Sequence, residues 1–465
     1  MLRNIRIILA TLFFIGITLL LCSPADFPWL AWLAKLQFLP AVLALNLVVI
    51  LAIVLLTCLL GRVYCSVVCP LGILQDIIAA FGKKTKKNPK IPYTYSPAKN
   101  ILRYVVLLLF VVMLISGVTG FAILLAPYGS YGRMVQSIIR PTLIVGLVAL
   151  VSFLVIAVLS WRNGRTYCNT ICPVGTTLGL LSRFSLFRPV IDASKCNGCK
   201  SCARNCKASC INPDEHSIDM SRCVVCMDCI NKCRQGAIKY TLRTKASSSV
   251  SQDCQNSKSC EDGSKRQFLT VAGIMAAGYA YAQKGKVDGG LAEIEDKVAP
   301  HRATPVVPPG ALSLKHFHQH CTACQLCVSA CPNKVLRPSG NIMTLMQPES
   351  SYELGFCRPE CTKCSEVCPS GAIRPITKID KKEIQIGHAV VHRKSCVKLE
   401  SGDACGSCAR HCPVGAISMV NNRHGHLIPV VDEAKCIGCG ACEYLCPSRP
   451  VSAIRVEGHE IHKKL

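Results

Sequence analysis

The chain has 465 residues, of which 50% are apolar, 6% are aromatic and 33 are cysteine. This composition excludes a disordered or collagen-like chain, and the length predicts about three domains. The formal net charge of +26 is uneven, because residues 1–282 carry 30 Lys and Arg against 10 Asp and Glu, whereas residues 283–465 carry 23 against 17.

Four apolar segments predict membrane-spanning helices, and they are Ile7–Cys22, Leu39–Leu60, Tyr104–Ala126 and Thr142–Ser160. The last three are long enough to cross a hydrocarbon core. A cleaved signal peptide is the alternative for the first segment, although Pro24 follows it at once and no cleavage site is recognisable. Basic residues cluster before the first segment and between the second and third, which predicts that these two ends are cytoplasmic.

The second and fourth segments end in related sequences, GRVYCSVVCPLG from Gly61 and GRTYCNTICPVG from Gly164. A pseudo-twofold pair of helix hairpins would bring their cysteines to one cytoplasmic surface, with Arg62 and Arg165 beside them. A turn that serves only helix packing is the alternative. The candidate redox thiols, or ligands of a further metal or cluster, are Cys65, Cys69, Cys168 and Cys172.

Residues 1–188 are therefore predicted to form the membrane domain, and residues 189–240 a first cysteine-rich module. The module contains the pattern CxxCxxCxxxC twice, as Cys196, Cys199, Cys202, Cys206 and as Cys223, Cys226, Cys229, Cys233. In such a pair the fourth cysteine of one group completes the cluster of the other, so Cys233 is expected in the first site and Cys206 in the second. Cys210 is an extra thiol that could replace Cys206.

Residues 241–310 are predicted to be a linker that includes a weaker apolar segment at 264–282. A second cysteine-rich module is predicted over residues 311–457, with four further groups, each ending in Cys-Pro. Whether these groups pair sequentially or in a nested order cannot be decided from spacing. The groups are Cys321, Cys324, Cys327, Cys331; Cys357, Cys361, Cys364, Cys368; Cys396, Cys405, Cys408, Cys412; and Cys436, Cys439, Cys442, Cys446.

Clustered thiols at these spacings favour [4Fe-4S] clusters over disulfides, which usually close longer loops, and over zinc, which usually takes two cysteine pairs. Ile238, Ile373, Ile417 and Ile454 are expected to pack on the clusters in place of a large apolar core. Six clusters carry negative charge that offsets much of the basic excess, so nucleic acid is not expected as a partner. One-electron transfer through them needs no separate catalytic residue.

The first half resembles the NapH/MauN type of ferredoxin-type membrane quinol dehydrogenase subunit, since four apolar segments bearing two CxxxCP turns precede a two-cluster module. The region from about Ser264 onward is similar to the NapG/MauM type of polyferredoxin, with its four cluster motifs. The resemblance implies a fusion that takes electrons from the quinol pool and passes them to a respiratory reductase, cytochrome or maturation target.

The expected fold class is an α-helical membrane domain of four helices, with a fifth weaker segment, plus α+β ferredoxin-like [4Fe-4S] modules. The chain is expected in the cell inner membrane, with the first module cytoplasmic. Ser264–Leu269, SKRQFL, resembles a twin-arginine export signal, which places the second module in the periplasm; a cytoplasmic or surface-lying helix is the alternative. The alternative function is a redox assembly factor that reduces or delivers a metal such as copper. A tethered acceptor carrying electrons inward is a third.

The six cysteine groups predict that protein purified without oxygen contains about 24 iron and about 24 inorganic sulfide per chain. Chemical iron and sulfide assays measure both. Stoichiometric zinc, or iron near eight in intact protein, would contradict the motif assignment.

Overall fold

The computed structural model describes residues 2–24, 26–85, 93–116, 123–139, 143–242, 296–341, 343–397, 405–421 and 427–465. The first part of the chain is helical, as its long apolar runs predict. Its helices are α1 (Leu2–Cys22), α2 (Ala31–Lys35), α3 (Phe38–Leu43), α4 (Leu47–Leu60), α5 (Val63–Val67), α6 (Pro70–Thr85), α7 (Asn100–Ser116), α8 (Pro127–Ile139), α9 (Leu143–Asn163), α10 (Thr166–Thr170) and α11 (Pro173–Ser182).

The prediction of a single helix over residues 39–60 is wrong, because the structure has two helices there. Leu45 takes a positive φ of 52° between α3 and α4. The side chain of Asn46 then accepts a hydrogen bond of 3.4 Å from the backbone N–H of Val49. An asparagine at this position satisfies a donor of the first helical turn and so starts a new helix.

Two described helices are long and apolar enough to span a membrane, Leu2–Cys22 and Val145–Asn163. Leu47–Leu60 and Asn100–Ile115 are apolar but shorter. The third expected helix, 104–126, starts earlier than predicted, since α7 begins at Asn100 and is described as far as Ser116; residues 117–122 lie outside the described residues, and α8 begins at Pro127. Proline suits a first helical turn because its missing N–H would have no partner there.

Both cysteine-rich modules combine short helices with two-stranded antiparallel sheets, which is the expected α+β class. The first contains β1 (Phe187–Ile191) paired with β4 (Ile238–Leu242), β2 (Ile211–Asn212) paired with β3 (Ser217–Ile218), α12 (Ser201–Arg204) and α13 (Asp228–Lys232). The second contains the pairs β5 (Leu336–Pro338) with β6 (Pro348–Ser350), β7 (Ile384–Val391) with β10 (Ile454–Lys464), and β8 (Ile417–Asn421) with β9 (Leu427–Val431). Its helices are α14 (Leu314–His320), α15 (Leu326–Ala330), α16 (Lys363–Val367), α17 (Lys378–Glu383), α18 (Ser407–Arg410) and α19 (Ala441–Tyr444).

The second module is larger than the sequence indicates. Residues 296–310, expected in the linker, pack on it: Val306 is fully buried, and Lys297 Nζ donates to the carbonyl oxygens of Glu443, Tyr444 and Cys446 at 2.7–3.0 Å. At the other end β10 continues past 457 as the partner of β7. Residues 243–295, with the apolar segment 264–282, lie outside the described residues.

The two modules contact opposite ends of α4. At its carboxyl end, a β-carbon on Gly61 would lie 2.9 Å from the Val225 side chain of the first module. Just before its amino end, Ala44 lies so near Gly371 of the second module that a β-carbon there would be 3.5 Å from the Ala44 Cα. A helix of 14 residues is about 21 Å long, so the helical domain separates the two modules.

Candidate iron–sulfur centres and a four-thiol site

The two cysteine groups of the first module exchange their fourth members, as their spacing predicts. Each set of thiols surrounds one small cavity. The first is lined by Cys196, Cys199, Cys202 and Cys233, and the second by Cys223, Cys226, Cys229, Cys206 and Cys210.

Cys206 and Cys210 compete for the second cavity, and their Sγ atoms are 3.6 Å apart. A hydrogen bond from the Cys210 thiol, together with backbone N–H groups of the following residues, lowers the pKa of Cys206 to about 7 in spite of its burial. The same contact, with one to Cys223, raises the pKa of Cys210 well above its ordinary value. The CxxCxxCxxxC spacing and the lowered pKa both favour Cys206 as the thiolate ligand, and either sulfur can donate the hydrogen bond between them.

The four groups of the second module pair in sequence order, not in a nested order. Two cavities are lined directly by complete sets of thiols. In the other two sets, the fourth cysteine of one group lies close enough to the thiols of the next to change their pKa. Burial raises the pKa of Cys357 and Cys364 most, and Cys331 raises it further. Cys412 adds in the same way to the effect of burial on Cys436 and Cys439. The two lined sets are Cys321, Cys324, Cys327 with Cys368, and Cys396, Cys405, Cys408 with Cys446.

The surroundings of these thiols fit [4Fe-4S] clusters. Backbone N–H groups shortly after the fourth cysteine of a group donate to its sulfur, from Ala416 to Cys412 at 3.2 Å and from Ile373 to Cys368 at 3.4 Å. Such donors stabilise the negative charge of a thiolate and of the cluster it holds. Ile238, Ile373 and Ile454 line three of the cavities, and Ile417 is buried beside the last two groups.

A single metal ion needs three or more ligating side chains close around it. Among the described residues, no three Cys, His, Asp or Glu side chains converge closely enough to hold one metal ion. A zinc ion needs sulfurs about 2.3 Å from a single centre, whereas four thiols around a four-iron cubane stand farther apart.

The two repeats of the helical domain meet at their cysteines and bind each other by crossed arginines. Arg62 Nη2 donates to the carbonyl oxygen of Cys168 at 3.3 Å, and Arg165 Nη1 donates to the carbonyl oxygen of Cys65 at 2.6 Å. The four sulfurs are buried together, since burial and then neighbouring thiols of both repeats raise the pKa of Cys69 and Cys172. We call Cys65, Cys69, Cys168 and Cys172 the four-thiol site.

Glycines make this close approach possible. A β-carbon on Gly72 would lie 2.3 Å from the carbonyl oxygen of Cys65, and one on Gly175 would lie 2.1 Å from that of Cys168. Both distances are far below van der Waals contact, so no other residue fits. The final glycine of each repeated sequence is thus explained by the packing of α6 and α11 against the preceding turns.

Sequence reasoning missed three polar residues around the four-thiol site, of which Gln75 and Asp76 lie on α6. Gln75 Nε2 donates to the Cys168 sulfur at 3.3 Å. The Asp76 carboxylate accepts from Arg165 Nε at 2.8 Å and also pairs with Arg6 and Lys207. Burial by itself would raise the pKa of Asp76, but these cations hold it well below its usual range. The available signal in the sequence was their position, five and six residues after Pro70 of the Cys-Pro pair.

The third missed residue is Arg133 on α8, which is fully buried between the four-thiol site and the second module. Its Nη2 donates to Ser130 and to the Ile123 carbonyl oxygen, while Nε and Nη1 have no hydrogen-bond partner among the described residues. Tyr167, Cys324 and Cys321 are its electrostatic neighbours. A buried cation without full pairing is costly unless negative charge is near, and clusters at these cysteines would supply it.

Comparisons with known proteins agree with the chemistry of these sites. A model described as a 4Fe-4S binding domain matches residues 42–89 and 145–191, the two repeats that contain the four-thiol site. A model described as a 4Fe-4S dicluster domain matches residues 356–416 and 403–449. These models support [4Fe-4S] clusters in this chain, and the chain is an iron–sulfur electron-transfer protein.

Part of the chain is similar to proteins described as ferredoxin-type proteins. The methylamine utilization ferredoxin-type protein MauM of Methylophilus methylotrophus is 37% identical over 162 residues, covering 32% of this chain and 69% of the relative. MauM of Methylorubrum extorquens is 34% identical over 43% of this chain and 90% of the relative. The ferredoxin-type protein NapF of Escherichia coli is 29% identical over 33% of this chain and 86% of its own. No solved structure matches the chain.

The contacts of Cys206 and Cys210 predict different effects of two matched substitutions. Cys206→Ser removes the thiolate and should cost about four iron per chain, whereas Cys210→Ser should keep full iron because a hydroxyl still donates to Cys206. Iron assay with EPR of the reduced protein measures the difference. Loss of the cluster from the Cys210 variant alone would show that Cys210 is the ligand.

Proposed function

The chain belongs to the MauM family of ferredoxin-type proteins, and from this premise we propose that it conducts electrons across the cell inner membrane. Electrons would pass from the quinol pool through six [4Fe-4S] clusters to a redox partner on the far side. Residues 1–240 would correspond to a NapH/MauN-type membrane subunit, and the rest to a NapG/MauM-type polyferredoxin. The ligands would be the six thiol sets described above, with Cys206 in the second.

The outward faces of the long helices support a membrane location. Large apolar side chains are strongly exposed at several levels, as Leu12 on α1 (62%), Leu51 on α4 (65%), Leu108 on α7 (64%) and Val158 on α9 (54%) show. Soluble proteins rarely expose continuous apolar surface of this extent, and lipid would cover it. The helices shorter than a bilayer would then be completed by the turns and short helices at their ends.

The separation of the modules supports an electron path through the helical domain, and this observation carries the proposal. The four-thiol site lies against the first module, because Asn169 Nδ2 donates to the Ala208 carbonyl oxygen at 3.2 Å and Arg62 Nη1 to that of Ser221 at 3.1 Å. From there Tyr167 and Arg133 lead to Cys321 and Cys324 of the second module. A redox metal or iron–sulfur cluster held by the four thiols would then relay electrons one at a time between the clusters on the two sides.

The proposed electron transfer requires no redox reaction beyond oxidation of the quinol and reduction of the partner. Oxidation of one quinol releases two electrons and two protons, and each cluster accepts one electron at a time. The chain's own residues would hold the clusters, exclude water and supply donors to sulfur. Delivery of a metal such as copper is the second candidate, but thiols that are only 3–4% exposed have no open path to a recipient protein. Their burial favours electron transfer.

Removing two thiols should break this path without dismantling the modules. In the variant Cys65→Ser/Cys168→Ser, the iron of the six ferredoxin sets should be retained, while reduction of the second module's clusters by added quinol should stop. Cluster EPR after mixing with quinol measures this. Cys22→Ser/Cys58→Ser, which removes two thiols elsewhere in the helices, is the matched control. Unchanged reduction in the first variant would assign the four thiols to packing.

The topology can be tested with reporters, since four crossings from a basic amino end return the chain to the cytoplasm. A reporter near Ser248 should be cytoplasmic and one after Leu465 periplasmic, and only the latter should depend on Arg266. Arg266→Gln should trap a cluster-bearing second module inside, whereas Arg243→Gln should not. Protease treatment of sealed spheroplasts that leaves the unmodified second module intact would favour the tethered cytoplasmic acceptor.

A further inference from the structure

A cleft of about 410 Å³ opens between α1, α6 and the first module, and no cysteine lines it. Its floor is apolar and is built by one face of each helix, with Ile7, Ala10 and Phe14 opposite Ile73 and Ile77. These residues recur every three or four positions, so they line up along both helices. The cleft is therefore an apolar groove that runs along the helices and ends at the module.

The mouth of the cleft is strongly basic. Five cations line it, Arg3, Arg6, Lys83, Lys207 and Lys232, against the two carboxylates of Asp76 and Asp228, a local excess of three positive charges by subtraction. The excess positive charge comes from both parts of the chain that meet here. Lys207 and Lys232 belong to the first module, and the other three cations belong to the helical domain. Like charges that converge at an interface oppose its formation.

The two carboxylates are already occupied by these cations. Asp228 pairs with Arg3 at 2.9 Å and with Lys207 at 3.0 Å, and Asp76 with Arg6, Lys207 and the buried Arg165. Lys83 donates only to the neutral side-chain oxygen of Asn205 at 2.7 Å, and Arg6 Nε is buried without a partner among the described residues. Among the described residues, the mouth therefore has more cationic hydrogen-bond donors than carboxylates to pair with them.

We propose that this cleft binds the headgroup of an anionic phospholipid, with an acyl chain along the apolar floor, and that the lipid holds the first module against the helical domain. Basic pockets between membrane helices on the cytoplasmic side take such headgroups. A quinol fits less well, because its headgroup is neutral and would leave the excess positive charge of the mouth unpaired. The inference rests on the proposed membrane location of the helices.

The test uses the full, cluster-loaded chain in mild detergent, after its partition into the membrane fraction has been measured. Native mass spectrometry counts bound lipid during titration with phosphatidylglycerol or phosphatidylcholine. One phosphatidylglycerol per chain should bind, and Lys83→Gln/Lys232→Gln should weaken it roughly tenfold. The control Lys195→Gln/Lys200→Gln removes equal charge from the exposed side of the same module and should change nothing. Ala80→Phe, which fills the cleft but keeps its charges, should abolish lipid binding.

Equal binding of phosphatidylcholine, equal loss in the control variant, or insensitivity to Ala80→Phe would overturn the proposal. Displacement of the lipid by decylubiquinone, with the same dependence on Lys83 and Lys232, would also overturn it. Inorganic phosphate that competes fully regardless of Ala80→Phe would identify a free-anion site and also overturn it. Iron content and quinol-driven reduction, measured on the same samples, test the electron path separately. A chain that is extracted without detergent would contradict the proposed function itself.

Discussion

The crossed arginines at the four-thiol site are the interaction on which the rest of the architecture depends. Each guanidinium is fully buried and binds the backbone of the opposite repeat, so neither repeat can satisfy its own arginine. An unpaired buried cation would cost several kcal/mol, which makes the two halves obligatory partners. The same contacts bring the four thiols together. Close to them, Lys207, which follows Cys206 in the first module, forms an ion pair with Asp76 on α6.

In both modules thiol groups occupy the centre that an apolar core would fill in a larger domain. Their sheets have only two strands and their helices about one turn, which cannot bury enough apolar surface for independent stability. Burial raises the pKa of several of these thiols, to about 12 for Cys226 and about 11 for Cys408, so bound iron would have to displace their protons for them to act as ligands. The second module must then be complete before any transfer across a membrane.

Positively charged side chains lie beside the thiol sites and at the proposed lipid-binding cleft. Arg133 is buried beside Cys321 and Cys324, and Arg62 Nη2 lies 3.8 Å from the Cys65 sulfur. Positive groups near a cluster favour its reduced state, so these arginines would ease electron passage through the helical domain. An excess of three positive charges also lines the cleft between α1 and α6, where the helices meet the first module.

The sequence by itself determined the local chemistry, because cysteine spacing, the repeated CxxxCP turns and apolar runs are short-range patterns. It predicted which thiols form groups, the exchange of Cys206 and Cys233, and the meeting of the two repeats. It could not determine the pairing of the last four groups, since either order satisfies the same spacing, nor the break at Asn46, where one polar residue starts a new helix. The roles of Gln75, Asp76 and Arg133 were also not predicted from the sequence. Only the tertiary structure decided these points, because they depend on which distant backbone atoms each side chain reaches.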